Sequence, residues 1–228
     1  MQPIINRPSP NFDERAAAVP LQFVVLHYTG MLTRDDALQR LCDLAAKVSA
    51  HYLIDEVGET YALVDESKRA WHAGKSFWRG ITDLNSASIG IELVNPGHEY
   101  GYRPFPPAQI AALKKLLKAI FARYSFNAAA LLAHSDIAPT RKQDPGELFP
   151  WRDLAADGFG LWPDVKPDDH TPADAMEKTQ LLRHIGYDCA TAPDDALLAF
   201  QRRFDPENLG KKNAHETAAR LRALAGRI

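Results

Sequence analysis

The sequence predicts an α/β fold that carries a small all-helical unit at its C-terminal end. Three observations point there. Apolar runs of strand length alternate with helical periodicities as far as Trp162. The stretch Trp162 to Pro172 then packs three prolines and three aspartates into eleven residues without any period, as a linker does. Beyond it only helical patterns remain. The expected division is a first domain over 1–162, a linker over 163–173 and a helical domain over 174–228.

Taken in order, Leu21 to His27 is a β-rich apolar run. Thr33 to Val48 reads as a helix, with Thr33 and Asp36 in capping-box spacing and Leu38, Leu41, Cys42, Ala45 and Val48 on one face. Ala50 to Asp55 and Thr60 to Val64, joined across Glu56-Val57-Gly58-Glu59, read as a hairpin. Ser88 to Val94 alternates Ile89, Ile91 and Leu93 on one side of a strand. Pro106 and Pro107 open a long helix bearing Ile110, Leu113, Leu117, Ile120 and Tyr124. Ala130 to His134 is short and apolar, as a central strand is. Asp174 to Ile185, Asp194 to Phe204 and Ala214 to Ala225 are three short amphipathic helices. A unit of ~55 residues buries too little surface to be comfortable alone, so it is expected to dock on the first domain.

Composition narrows the function. In 228 residues, 46% are apolar and 25% charged, the ordinary globular balance. Lys plus Arg total 27 against 29 Asp plus Glu, which removes any bulk electrostatic case for nucleic acid or an anionic membrane as partner. The longest apolar runs fall far short of the ~20 residues a membrane span needs. Cys42 and Cys189 lie in apolar helical patterns and are expected as buried free thiols. Met1 to Pro10 has one Arg, three prolines and no apolar core, unlike a secretory signal. The expectation is a cytoplasmic protein acting as a monomer.

Two histidines, His27 and His134, each end an apolar strand and run into a turn, at a rim where sites are commonly built. Ten residues past His134 stands Asp144, in the rigid turn Asp144-Pro145-Gly146. Two histidines and a carboxylate are a catalytic zinc complement that leaves a fourth position for water, whose pKa the metal lowers to ~7. Spacing alone leaves the competing reading open, in which each histidine bonds backbone and Asp144 caps a turn. Glu92 is the one carboxylate in the apolar strand 88–94, on the side away from Ile91 and Leu93. Beside a metal it is a candidate general base, and on a half-exposed strand an ordinary surface residue. Lys142, two residues before Asp144, points the same way in an extended segment and is a candidate for stabilising an oxyanion. Trp71, His72 and Trp78 sit in a glycine-containing aromatic loop that suits sugar or peptide contact and equally ordinary loop packing, and Asn95 is a further substrate-binding candidate. His51 reads as a satisfied core residue, and His98, His170, His184 and His215 have no supporting context.

Val25-Leu26-His27-Tyr28-Thr29, Ala70-Trp71-His72-Ala73-Gly74, Ser88-Ile89-Gly90-Ile91-Glu92 and Ala133-His134-Ser135-Asp136-Ile137-Ala138-Pro139 stand in one order. Together with Arg141 to Gly146 and Phe149-Pro150-Trp151, the chain from Leu21 to Trp162 resembles the amidase_2 family of zinc-dependent N-acetylmuramoyl-L-alanine amidases, above all its AmiD type. The resemblance implies a mixed central sheet of five or six strands flanked by helices, related to the peptidoglycan recognition proteins. It implies Zn2+ on His27, His134 and Asp144, with Glu92 and Lys142 catalytic. The implied reaction cleaves the amide between N-acetylmuramic acid and L-alanine in peptidoglycan fragments. Leu181 to Tyr187 and Ala196 to Phe204 resemble two blocks of a three-helix peptidoglycan-binding domain, while its glycine-rich third block is weak at Leu209 to Asn213. Relatives of the AmiD type are exported lipoproteins. Without their leader, the expected substrates are soluble muropeptides, 1,6-anhydro forms included. A non-catalytic muropeptide recognition module and a regulatory partner protein are the alternatives.

Overall fold

The computed structural model describes residues 3–228, so Met1 and Gln2 of the N-terminal stretch lie outside the described residues. Its strands are β1 (Ile5–Asn6), β2 (Phe12–Glu14), β3 (Phe23–Tyr28), β4 (Tyr52–Ile54), β5 (Thr60–Ala62), β6 (Lys68–Ala70), β7 (Ser88–Leu93) and β8 (Leu131–Ala133). The helices are α1 (Arg34–Cys42), α2 (Leu84–Ala87), α3 (Gly97–Tyr100), α4 (Pro107–Tyr124), α5 (His134–Ile137), α6 (Trp151–Ala156), α7 (Ala175–Ile185), α8 (Pro193–Phe204) and α9 (His215–Ala225). Six strands form one mixed sheet in the order β1-β5-β4-β7-β3-β8. The central pairs β4–β7, β7–β3 and β3–β8 are parallel, and the hairpin β4–β5 is antiparallel. A separate antiparallel ribbon joins β2 to β6.

Strand alternation divides the sheet into two unlike faces. Val24, Leu26, Ile89, Ile91, Leu93, Leu131 and Ala133 form one core with Ile110, Leu113, Leu117 and Ile120 of α4. Pro107 starts that helix where an unpaired N–H would otherwise be wasted, and Ser125 ends it in the left-handed conformation. The opposite face is covered in two pieces. Ala37, Leu38 and Leu41 of α1 pack on Leu53 and Tyr61. Phe23, Val25 and Leu132 pack with Leu84 of α2 and with Leu182, Tyr187 and Phe200 of the C-terminal helices. The ends of β3 and β7 line a cavity together with Ala37 and Leu41 of α1.

The C-terminal helices dock as their size demands, and their core is continuous with that of the sheet. Three details depart from the sequence. The strand β8 reads as central because it is apolar and buried, but it lies at the edge of the sheet, where Arg203 of α8 donates to the Leu131 carbonyl. The helix expected over Thr33 to Val48 ends at Cys42. Asp43 is extended there, and Asn11 Nδ2 ties both Asp43 O and Val48 O at 2.8 Å, holding the following segment as a single 3-10 turn. Cys189 is a buried free thiol in the loop after α7, not in a helix, and Cys42 is only partly buried. Among the described residues no helix is long and apolar enough to cross a membrane.

Candidate metal centre and active site

Sheet register builds the centre of the site. His27 on β3 lies directly across from Glu92 on β7, and Ala133, the residue before His134, pairs with Leu26. His134 opens α5 at the end of β8, and the Asp144 carbonyl accepts from Ser135 N–H at 3.0 Å, tying the two segments together. His27 Nδ1 is 2.8 Å from His134 Nδ1 and 3.2 Å from Asp144 Oδ2, and His134 Nδ1 is 2.8 Å from the same oxygen. All three residues are buried. Tyr102 holds the loop after Asp144, its hydroxyl donating to Pro145 O at 2.7 Å and accepting from Leu148 N–H at 3.0 Å. Gly146, at φ 89°, is required there, because a Cβ would stand 2.2 Å from that hydroxyl oxygen.

The outer ring nitrogens determine which tautomers meet at the centre. His134 Nε2 faces the Ala73 carbonyl at 3.2 Å, so it carries the proton and leaves Nδ1 bare. His27 Nε2 faces His72 Nδ1 at 3.0 Å, and His72 Nε2 faces Ser88 Oγ at 3.4 Å, whose own proton goes to Leu84 O. Protons donated along this chain leave His27 Nδ1 bare as well. Burial first, and then repulsion from His134, pushes the His27 pKa down to about 4, so its imidazole is neutral at physiological pH. Burial opposes ionisation of Asp144, but positive charge at the His134 and His27 nitrogens beside it, whether a proton or a metal ion, outweighs burial and holds the carboxyl well below the usual carboxylate range. Two bare nitrogens and a carboxylate thus converge with no proton assigned between them, an arrangement that asks for a cation. A tetrahedral ion with bonds near 2.0–2.1 Å would space such atoms about 3.3 Å apart, a few tenths of an ångström from what is found. The residues fit a metal.

The three donors open into a cavity of about 600 Å³, also lined by Glu92, Lys142, Trp71, His98 and Arg40. Glu92 Oε2 is buried without a hydrogen-bond partner. Burial, and next the Asp144 charge, raises the Glu92 pKa well above its ordinary value, and Lys142 offsets part of that. A carboxyl with its pKa raised in this way is suited to taking up and releasing a proton.

The remaining candidates separate. Trp71 lines the cavity and anchors its indole N–H on Asp13 at 2.7 Å. His72 is largely buried beside His27, where it orients that ring, and it also lines the cavity. Trp78 is away from the cavity. It is buried edge-to-face on Tyr187, ring centroids 5.0 Å apart. Asn95 is buried too and builds a turn, donating to Arg103 O at 2.8 Å and accepting from Gly97 N–H at 3.0 Å. His51 is the satisfied core residue expected of it, accepting from Gly90 N–H at 2.9 Å and facing Lys68 O at 3.0 Å. Sequence reasoning missed His98. It lines the cavity rim, bonded to Tyr28 at 2.9 Å and Glu147 at 3.1 Å and stacked on Tyr102. The two residues that bond it, Tyr28 and Glu147, come from distant segments, and only the stacked Tyr102 is local.

Comparison with known proteins agrees with this geometry. The Amidase_2 model, described as N-acetylmuramoyl-L-alanine amidase, matches residues 17–147. N-acetylmuramoyl-L-alanine amidase AmiD of Escherichia coli (strain K12) is 41% identical over an alignment covering 92% of this chain and 84% of that protein. The structure of the E. coli AmiD complex with the substrate anhydro-N-acetylmuramic acid-L-Ala-D-gamma-Glu-L-Lys is similar at a TM-score of 0.82 and 37% identity, covering 95% of this chain and 98% of that one. AmpDh3 from Pseudomonas aeruginosa, in complex with anhydromuramic pentapeptide, is similar at a TM-score of 0.81 and 32% identity, covering 100% and 99%.

Proposed function

The chain belongs to the Amidase_2 family of N-acetylmuramoyl-L-alanine amidases, and from that premise we propose that it works as a zinc enzyme on soluble muropeptides. It hydrolyses the amide between N-acetylmuramic acid and L-alanine in peptidoglycan fragments, a step of cell-wall recycling or turnover. The relatives whose structures hold anhydromuramyl peptides support including the 1,6-anhydro form among its substrates.

His27, His134 and Asp144 hold the zinc in this reading. When bound, the ion supplies Lewis acidity to the scissile carbonyl and to the attacking water. Glu92 takes the proton of that water and passes it to the leaving amine of L-alanine. Its raised pKa suits both halves of that transfer. Lys142, which lines the same cavity, steadies the negative charge that develops on the carbonyl oxygen. Trp71 offers a flat ring to the muropeptide at the cavity wall. His72 serves the same site from beside His27, and the surroundings of Trp78 and Asn95 favour structural roles for both. Residues 1–162 are assigned to the catalytic domain, 163–173 to the linker and 174–228 to a peptidoglycan-binding-like helical domain.

The convergence of two bare imidazole nitrogens and a carboxylate beside Glu92, whose Oε2 is buried without a partner, carries the proposal. It is tested by zinc analysis together with chelator-sensitive release of the peptide from muramoyl-tripeptide. Glu92→Ala is expected to lose turnover and keep zinc. Near-normal activity in that variant overturns the assigned base, and chelator-resistant activity overturns the metal. Parallel assays on intact sacculi and on soluble anhydro-muropeptides test the substrate pool. A cytoplasmic monomer belongs to the same proposal, and recovery of the native protein from the periplasm, or as a dimer in sizing experiments, overturns it.

A further inference from the structure

The two resemblance blocks of the C-terminal unit supply the residues that touch the catalytic layer. Tyr187 follows α7, and α8 carries the adjacent arginines Arg202 and Arg203, all three buried. A buried guanidinium needs an anion and further acceptors. Arg203 finds both in the α5 region. It pairs with Asp136 Oδ2, donates to Leu131 O at 3.0 Å and lies over the Trp151 ring, 4.1 Å from its centroid. Tyr187 donates its hydroxyl to the other Asp136 oxygen at 2.7 Å. Asp136 in turn accepts from Ala133 N–H at 2.9 Å, closing the turn that starts with His134. Arg202 extends the same seam to the second ligand segment, 3.5 Å from Glu147, three residues past Asp144.

Hydrophobic docking alone would not require this arrangement. Replacing a buried ion pair by well-packed apolar groups is often neutral or better for stability, so such a pair is weak evidence of a merely stabilising contact. What the pair does here is geometric. The carboxylate has no rotational freedom left, because the helical unit holds both of its oxygens while one of them also holds the backbone in front of His134.

We propose that the C-terminal helical unit is a positioning element of the metal centre. Through Asp136, Tyr187 and Arg203 fix the turn that aims His134. The proposal rests on the reading of His27, His134 and Asp144 as metal ligands. It gives the unit a role that does not depend on carbohydrate binding.

The test uses the full-length protein in three variants. Tyr187→Phe removes one bond and keeps the ring. Arg203→Lys keeps the charge and loses the fork. Arg222→Ala loosens the helical unit elsewhere, where Arg222 donates to Asp169 O at 2.8 Å and Thr171 O at 2.7 Å, away from Asp136. The rate of zinc loss to a chelating dye, the melting temperature of the metal-free protein and the division of activity between kcat and KM are measured. Tyr187→Phe and Arg203→Lys are expected to lose zinc about tenfold faster, the lower end of the range for outer-shell partners. Their kcat falls while KM stays within about twofold. Arg222→Ala lowers the melting temperature and leaves zinc loss within about twofold of wild type. If all three variants melt earlier but lose zinc at the wild-type rate, the unit is structural support only and the proposal is wrong. Should Arg203→Lys fail to fold, Tyr187→Phe decides alone. A wild-type protein that takes up no zinc overturns the metal reading itself, which is a different failure.

Discussion

Gly90 is the residue whose smallest change should disturb the site most. Its backbone is ordinary strand, so nothing in its conformation demands glycine, and only space does. A Cβ built there stands 2.4 Å from His72 Cγ, 2.6 Å from Cδ2 and 2.7 Å from Nδ1. Carbon atoms in contact sit about 3.5–4.0 Å apart, so in Gly90→Ala the ring must retreat by roughly 1 Å. The strand cannot yield instead, because Gly90 N–H is bonded to His51 Nδ1 at 2.9 Å and Gly90 O accepts from His51 N–H at 3.0 Å. The backbone around His72 is fixed as well, with the N–H groups of His72 and Ala73 on Asn85 Oδ1 at 3.0 and 2.7 Å. The ring must therefore swing, and the 3.0 Å contact to His27 Nε2 stretches to about 4 Å, beyond a hydrogen bond. Overpacking costs ~1–3 kcal/mol, and the buried donor and acceptor left unpaired cost a similar amount. Removing glycine from a strand returns only ~0.5–1 kcal/mol. At about 2–4 °C per kcal/mol for a chain of this size, melting should fall by roughly 3–20 °C. Zinc affinity should fall about 10–100-fold as His27 loses its orienting partner. A double-mutant cycle with His72→Ala, followed by thermal melts and zinc titration, is the assay. With the ring gone the clash disappears, so Gly90→Ala should cost little in the His72→Ala background. Additive effects of the two substitutions, or wild-type melting and zinc affinity in Gly90→Ala, would refute this reasoning.

The other expectations concern charge and the cavity walls. Glu92→Gln should lower turnover by about 10²–10⁴-fold with zinc retained. In metal-free protein it should melt several degrees higher at pH 8, since it removes a carboxylate charge whose Oε2 is buried without a partner. A lower melting point would show that the carboxyl is satisfied. Burial lowers the His27 pKa to about 4 and that of His51 to about 3, whereas both titrate near 6.5 when unfolded. Below pH 6.5 the unfolded chain therefore binds more protons, and each ring withdraws ~1.4 kcal/mol of stability per pH unit as pH falls toward its folded pKa. The raised Glu92 pKa acts with the opposite sign, stabilising the fold toward acid, so the histidine effect is read in metal-free Glu92→Gln. A urea midpoint there that does not move between pH 7 and pH 5 would contradict the burial of these rings. Trp71→Ala should raise KM roughly tenfold with little change in melting, whereas Trp78→Ala should cost ~3–5 kcal/mol of stability. The reverse pattern in melts and kinetics would return Trp78 to the substrate.

What could be read in the sequence was whatever is encoded within one element. His27 and His134 stood out because each closes a run of strand residues, and Glu92 because alternation assigns it a side. The long helix α4 declared its start through Pro106 and Pro107 and its face through four apolar residues. The strands β1, β2 and β6 were illegible for a physical reason: they are two or three residues long, and β1 and β2 are exposed, so no burial period exists to be seen. The overrun of α1 and the buried surroundings of Trp78 share a cause. In each, a distant partner decides the outcome, Asn11 in the first case and Tyr187 in the second. His98 belongs with them, since the residues that bond it, Tyr28 and Glu147, are distant in sequence.

The strand β7 shows how closely fold and site are specified together. Its residues Ile89, Ile91 and Leu93 are uniformly apolar and serve the core under α4. The alternate residues are anything but uniform, and each meets the site. Ser88 takes the far nitrogen of His72, Gly90 leaves the space that ring occupies, and Glu92 stands beside His27 in the cavity. Three small or polar side chains on one face of a central strand would be costly in a sheet covered evenly on both sides. Here the His72 ring packs on Ser88 and Gly90 while Glu92 lines the cavity, so the face need not be apolar. Slipping β7 by one residue would bury Ser88 and Glu92 under α4 and turn three large aliphatic groups toward His72. The hydrophobic pattern that fixes the register of β7 therefore also fixes the position of the proposed base against the metal ligands, without any residue reserved for that purpose alone.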